Sequence, residues 1–391
     1  MTPSWWCAAT GSVGGMSGYL DISALGAVLR LPLSELVTAA EPPAAPDLAE
    51  RVRTAWHDAA APAGSEADRD AGAPAGIVFP ATAHADRFME SLSSEITQAA
   101  LLLRAGQLAM LHAGGIALAD GRVICFVAAS GHGKTTLTRM LSELHGYVSD
   151  ETIAFDEQLR VYPYRKPLSV VTPGRSKQQL APSGLGLREL PQAPLRLAAL
   201  VLLDRQGAAA APRAEAAAGP SAPTLRPVSL REALGELLAQ SSYSAQLPGP
   251  LQRFAQAISE VGGVWSLSYR EAADVREAFP RLAAELLAPG TAEAWHPVPD
   301  HLVERSGAGD AIVLASGEAL VFAAQHLHAL SDVAAEVWQG ALAGDAAEQL
   351  AARVVARFGT PPAETGIDPA HYVATTIAEL REAGVLPTSP A

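Results

Sequence analysis

"CFVAASGHGKTTLTRML", residues 125–141, sets a short apolar strand before a glycine-broken loop and a helix. The Walker pattern G-x-x-x-x-G-K-[ST] falls on residues 128–135, with Ala128 in place of the first glycine. Gly131 and Gly133 let consecutive backbone N–H groups converge on an anion, and Lys134 brings a point charge to β- and γ-phosphates. Thr135 offers its hydroxyl to Mg2+. Ser130, His132 and Thr136 complete the loop and the start of the helix, whose positive end aims at the same place. A strand before, a helix after and lysine at the required step predict a nucleotide-phosphate loop rather than a plain connector. Lysine usage agrees, because the chain has only three, Lys134, Lys166 and Lys177, all in one stretch.

The bulk numbers bound the rest. With 391 residues and 49% hydrophobic content the chain can bury one large core or two to three smaller ones. A net charge of −13 argues against nucleic acid as the main partner, since a polyanion needs a basic surface to displace its counterions. The first basic residue is Arg30, so the apolar start lacks the charged region of a secretory signal. No run approaches the ~18–20 apolar residues of a membrane span, and a cytoplasmic location away from membranes is expected. Cys7 and Cys125 lie far apart and imply neither a disulfide framework nor a zinc site.

Residues 1–92 read weakly, as a strand–helix mixture through GYLDISALGAVLRLPLSELV and then Pro/Ala/Gly-rich linker sequence, including 61–76. From Ser93 the pattern sharpens: SSEITQAALLLRAG predicts a helix capped by serine. LAMLHAGGIAL, Ala-Asp-Gly and RVICFVA predict a β-hairpin whose second strand feeds the loop. YVSDETIAF, LRVYPY, LRLAALVLLDR (195–205) and VWSLSYR read as strands, and 229–260 and DVREAFPRLAAELL as helical. Residues 207–224 read as a flexible insert and 288–299 as a linker. The last stretch, 300–391, shows short strands AIVLAS and ALVFAA around a Ser-Gly-Glu turn, then three amphipathic helices, the pattern of an α+β winged helix.

The acidic pair Asp150–Glu151 lies 16 positions past Lys134, after one helix. That is too close for the Asp-Glu pair that ends a long apolar strand in ABC- or RecA-type ATPases. It suits a site where one carboxylate holds Mg2+ and the other takes a proton from an attacking hydroxyl.

LHAGGIALADGRVICFVAASGHGKTTL, GYVSDETIAF and RKPLSV together resemble the catalytic domain of HPr kinase/phosphorylase and related kinases, over roughly 93–287. The resemblance implies an α/β P-loop kinase fold akin to phosphoenolpyruvate carboxykinase, using ATP and Mg2+. It implies Lys134 and Thr135 as phosphate and metal contacts, Asp150 as base and Glu151 as metal ligand. His112 falls on the family's histidine beside the phosphoryl site, although a lone strand histidine is also an ordinary structural residue. Arg165 and Lys166 either steady the transferring phosphate or cap a strand end. The chain departs from HPr kinases at Ala129 and Thr136, where they carry acids, and HPr itself is not the expected substrate. HPr kinases are commonly hexameric, which leaves a homo-oligomer open.

The tail resembles a PqqD-like domain in its strand pair, the helix start at 330–338 and the terminal L-x-x-x-G-(V/L)-(V/L) at 380–386. The resemblance implies a recognition element that takes the leader of a ribosomally made precursor peptide as an added strand. DNA is the wrong partner, because residues 300–391 hold four arginines, no lysine and twelve acids. Trp338 is expected in the core. The two resemblances imply a kinase that phosphorylates a Ser or Thr hydroxyl of a captured precursor peptide, the tail raising its local concentration. The competing reading is a nucleotide-binding ATPase or scaffold that brings the peptide to other maturation enzymes.

Overall fold

The computed structural model describes residues 18–33, 48–62, 85–171, 177–206, 222–362, 366 and 368–387. Cys7, most of the insert at 207–224 and residues 63–76 of the linker-like stretch lie outside them. At the N-terminus, β1 (Tyr19–Ala24) and β2 (Ala27–Pro32) form an antiparallel hairpin, followed by α1 (Leu48–Ala55) and α2 (Ala85–Arg104). Ile22, Leu29, Trp56, Phe88, Leu92 and Ile96 share one core with Met110, Ala154 and Tyr164 of the next unit. The serine cap expected at the start of α2 is overturned. Ser93 lies buried inside the helix, because Phe88, Met89 and Leu92 carry the apolar face that includes Ile96 about two turns further toward the N-terminus, to Ala85.

The principal sheet follows. Its elements are β3 (Ala109–Ala117), β4 (Arg122–Val127), α3 (Lys134–Ser142), β5 (Gly146–Ser149), β6 (Thr152–Phe155) and β7 (Val161–Tyr162). A small separate pair, β8 (Leu168–Val170) and β9 (Gln178–Leu180), precedes β10 (Arg196–Arg205) and β11 (Thr224–Val228). Then come α4 (Leu230–Ala239), α5 (Pro250–Glu260), β12 (Val264–Tyr269) and α6 (Ala272–Leu286). The strand order is β11-β12-β10-β4-β3-β6-β7, with β5 also on β3. β4, β10 and β12 run parallel and the other pairings are antiparallel. Both faces of β4 are buried, as its unbroken apolar run requires. Ile124 and Phe126 pack with Leu137 and Leu141 of α3 and Phe279 of α6, while Val123, Cys125 and Val127 join a core with α4 and α5.

In the C-terminal unit, β13 (Trp295–Pro297), α7 (Asp300–Ser306), β14 (Asp310–Leu314), β15 (Ala319–Ala323) and β16 (His326–Leu330) precede three helices. These are α8 (Asp332–Ala343), α9 (Ala347–Phe358) and α10 (Pro369–Glu382), with Ser331 and Asp368 capping the first and last. The strands form an antiparallel sheet in chain order, so the stretch read as linker contains a paired strand. Trp338 is fully buried and donates its indole N–H to the Val385 carbonyl at 2.8 Å. One sheet face, through Ala311, Ala319, Val321 and Ala323, packs on the unit's own helices. The other, through Ile312, Leu314, Leu320 and Phe322, shares a core with Leu230 and Leu234 of α4 and Leu251 and Phe254 of α5. Asp310 adds a polar contact, accepting the Gln252 N–H in the first turn of α5 at 2.9 Å. No helix among the described residues is long and apolar enough to cross a membrane.

The approach of α3 to β3 is set by Gly114, where an added Cβ would stand 2.0 Å from Thr138 Oγ1, itself buried without a hydrogen-bond partner. Gly114→Ala is expected to cost about 1–3 kcal/mol by overpacking. Thr138→Ala should restore most of it. Urea unfolding of the two single variants and the double variant measures this, and an equal cost in both backgrounds would show that the contact does not limit the packing.

Candidate functional site

β4 ends at Val127, and the chain turns through Gly131 (φ +84°) and Gly133 (φ +85°) before α3 begins at Lys134. Both glycines occupy left-handed backbone, and Gly133 is also hemmed in. A Cβ there would meet Tyr269 Oη at 3.1 Å and Arg205 Cδ at 3.3 Å. Lys134 is the first helical residue and is buried, its ammonium donating to the carbonyls of Ala128 at 2.6 Å and Ala129 at 3.1 Å. Burial lowers its pKa from the ordinary lysine value, and the charges of Glu151 and then Asp150 oppose that shift. Lys134 and both carboxylates therefore act on one another. Around the loop, Ser130 presents its carbonyl 3.2 Å from the His132 ring, and the His132 carbonyl accepts the Tyr269 hydroxyl at 3.3 Å. Thr135 and Thr136 are exposed on the first turn of α3.

The carboxylates owe their place to a break in one strand. β5 pairs with residues 115–117 of β3 and β6 with residues 109–112, leaving Asp150 and Glu151 bulged out between them. The buried Ser149 hydroxyl holds this turn, accepting the N–H groups of Glu151 and Thr152, each at 3.2 Å. Asp150 is buried and receives the hydroxyl of fully buried Tyr147 on Oδ1 at 2.8 Å. Burial, reinforced by Asp150, pushes the Tyr147 phenol well above its ordinary pKa, so it stays a donor. Glu151 is half-exposed and pairs with the Lys166 ammonium at 3.1 Å.

His112, on β3, donates its backbone N–H to the Gln240 carbonyl just beyond α4 at 2.7 Å. Its ring Nδ1 lies 3.1 Å from the Glu151 carbonyl. A carbonyl only accepts, so Nδ1 carries the proton and Nε2 keeps a lone pair. Burial and then the Lys134 charge lower its pKa, against the pull of Glu151 and Asp150.

Lys134, Asp150, Glu151, His112 and Lys166 thus converge. Arg165 does not share their contacts. Its guanidinium is buried and pairs with Glu189 at 2.8 Å and with Asp58, from the N-terminal unit, at 3.7 Å. Burial works to raise the Asp58 carboxyl, but the Ser183 N–H, His57 and Arg165 outweigh it and hold it below its ordinary value. The sequence reading missed Tyr147, and it missed Arg205 and Tyr269, which close over Gly133. Arg205 and Tyr269 end β10 and β12, and only the parallel pairing of those strands beside β4 brings them to the loop.

The chain matches no protein-family model and no curated protein. Chemistry alone must judge the fit of a nucleotide and its metal. The glycine loop, the buried ammonium and the start of a helix suit phosphate. Among the described residues no group of three or more His, Cys, Asp or Glu is placed to hold a metal unaided. Mg2+ fits this donor set, since it is commonly held by one or two carboxylates and by phosphate oxygens. Thr135 and Glu151 would be its protein contacts.

Two outcomes follow from this geometry. Tyr147→Phe removes the donor to a buried carboxylate and should cost roughly 1–3 kcal/mol in urea unfolding. His112 should titrate below 6.5 by NMR. Its depressed folded value means that its contribution to stability is complete above pH 6.5 and is lost as the pH falls from there through the lowered value. His112→Gln should flatten that part of the stability–pH profile.

Proposed function

We propose that this chain is an ATP-dependent kinase that transfers a phosphoryl group to a Ser or Thr hydroxyl of a ribosomally made precursor peptide. The observation that carries the reading is that Ala113 of β3 pairs with Val127, where the loop begins, and donates its N–H to the Glu151 carbonyl at 3.2 Å, which sets the acidic strand break beside the loop that ends in buried Lys134. The hydroxyl oxygen would bond to the γ-phosphorus of ATP as the bond to the bridging oxygen breaks and ADP leaves, and Mg2+ would neutralise the phosphate oxygens. The loop N–H groups and Lys134 hold phosphate oxygens, and Arg205 adds a cation beside them. Asp150 takes the proton of the attacking hydroxyl, its carboxylate oriented by Tyr147. Glu151, positioned by Lys166, would hold the metal. His112, whose Nδ1 faces the Glu151 carbonyl, keeps a lone pair on Nε2 and is a second candidate proton acceptor.

The peptide part of the reading draws on the C-terminal sheet. Among the described residues β16 pairs with β15 alone, so its outer edge presents unpaired backbone groups to an incoming strand. The net negative charge of that unit argues against nucleic acid as the partner.

The test incubates the full chain with γ-32P-ATP, Mg2+ and a candidate precursor peptide. Label should appear in the peptide, and Lys134→Ala should abolish transfer. Asp150→Asn should spare nucleotide binding while lowering turnover by about 10²–10⁴ for the lost base. Label released only as inorganic phosphate would replace the kinase with an ATPase.

A further inference from the structure

We propose that the C-terminal unit carries a second peptide-binding site, a pocket for a short segment in which a carboxylate side chain adjoins an aliphatic one. The pocket is a cavity of about 480 Å³ between α7, the end of α8, the start of α9 and α10. That lies within the ~300–1,000 Å³ typical of ligand sites. Its apolar wall comes from Leu342, Ile377 and Leu386, and its charged groups are Arg305, Arg381 and Asp345.

The distribution of charge points to the occupant. Residues 300–391 hold four arginines against twelve acids. Two of the four are used inside the fold, Arg353 and Arg357 both clamping the buried Glu336, with Arg353 also pairing Asp345 at the cavity rim. The other two, Arg305 on α7 and Arg381 on α10, have no ion-pair or side-chain hydrogen-bond partner among the described residues, and both line this cavity. In an acidic unit that neutralises its other arginines, two unpaired guanidinium groups beside an aliphatic wall form a surface complementary to a carboxylate with an aliphatic neighbour. The Asp345 carboxylate, which also lines the cavity, is neutralised by its pair with Arg353. A peptide fits better than an extended acyl chain, because the charged side chains of Arg305, Asp345 and Arg381 share the lining with the aliphatic residues.

No residue of β16 contributes to the cavity, so it is separate from the strand edge. The inference rests on a peptide being the partner of this unit and not on the phosphoryl transfer, so it is read without nucleotide. An inactive kinase would leave it intact.

The experiment follows the Ile377 methyl signal of the full-length, isoleucine-methyl-labelled chain, assigned by Ile377→Val, during titration with acetyl-Glu-Leu-amide. A saturable shift at Ile377 is expected. Acetyl-Gln-Leu-amide should bind on the order of tenfold more weakly, as should the glutamate probe to Arg305→Gln and to Arg381→Gln. The glutamine probe is a control on the unaltered protein, so a folding defect in the arginine variants cannot imitate the result. No saturable shift at Ile377, or equal affinity for the two probes, would overturn the proposal.

Discussion

An ammonium taken out of water must be met by acceptors or it will not stay charged, and Lys134 is met twice. The loop carbonyls of Ala128 and Ala129 receive its hydrogens, and Glu151 and Asp150 offset the cost of its burial. The neighbouring structure serves that arrangement. Gly133 accepts the left-handed turn that places lysine at the first helical position, and Gly114 lets α3 settle on β3. The break between β5 and β6 bulges the two carboxylates out beside the same strand. Moving any one of these would leave a buried charge facing the wrong neighbours.

The parts of this arrangement that were legible in the sequence are those with a strong local signal. An unbroken apolar run gave β10, glycine spacing after a strand gave the turn from β4 into α3, and the helix start read at 330–338 gave α8. What escaped was set by pairing across the chain. Tyr147 reads as an ordinary strand tyrosine until the turn at Ser149 brings Asp150 back over its hydroxyl. Arg205 looks like the polar end of a buried strand, and its closeness to the loop exists only in the sheet order. The link between Asp58 and Arg165 joins segments with no shared pattern. β16 was missed because its alternation, His-Leu-His-Ala, spans only four positions before the helix signal of α8 begins.

The N-terminal hairpin illustrates a different limit. Its inward residues alternate as a half-buried strand should, yet the Pro- and Ala-rich sequence nearby dominates the composition there. The partner that makes the alternation meaningful, the apolar face of α2, lies more than fifty positions downstream. Arg104 then ties the two by donating to the Leu25 and Gly26 carbonyls.

The sheet formed by β13 to β16 has an aliphatic face on each side, and one of them is completed only by α4 and α5. Cutting the chain near residue 290 would therefore not release two self-sufficient halves. It would lay Leu230, Leu234, Leu251 and Phe254 open to water on one fragment and Ile312, Leu314, Leu320 and Phe322 on the other, surfaces prone to stick to themselves. It would also loosen the backing of His112, whose amide is held by the carbonyl at the end of α4.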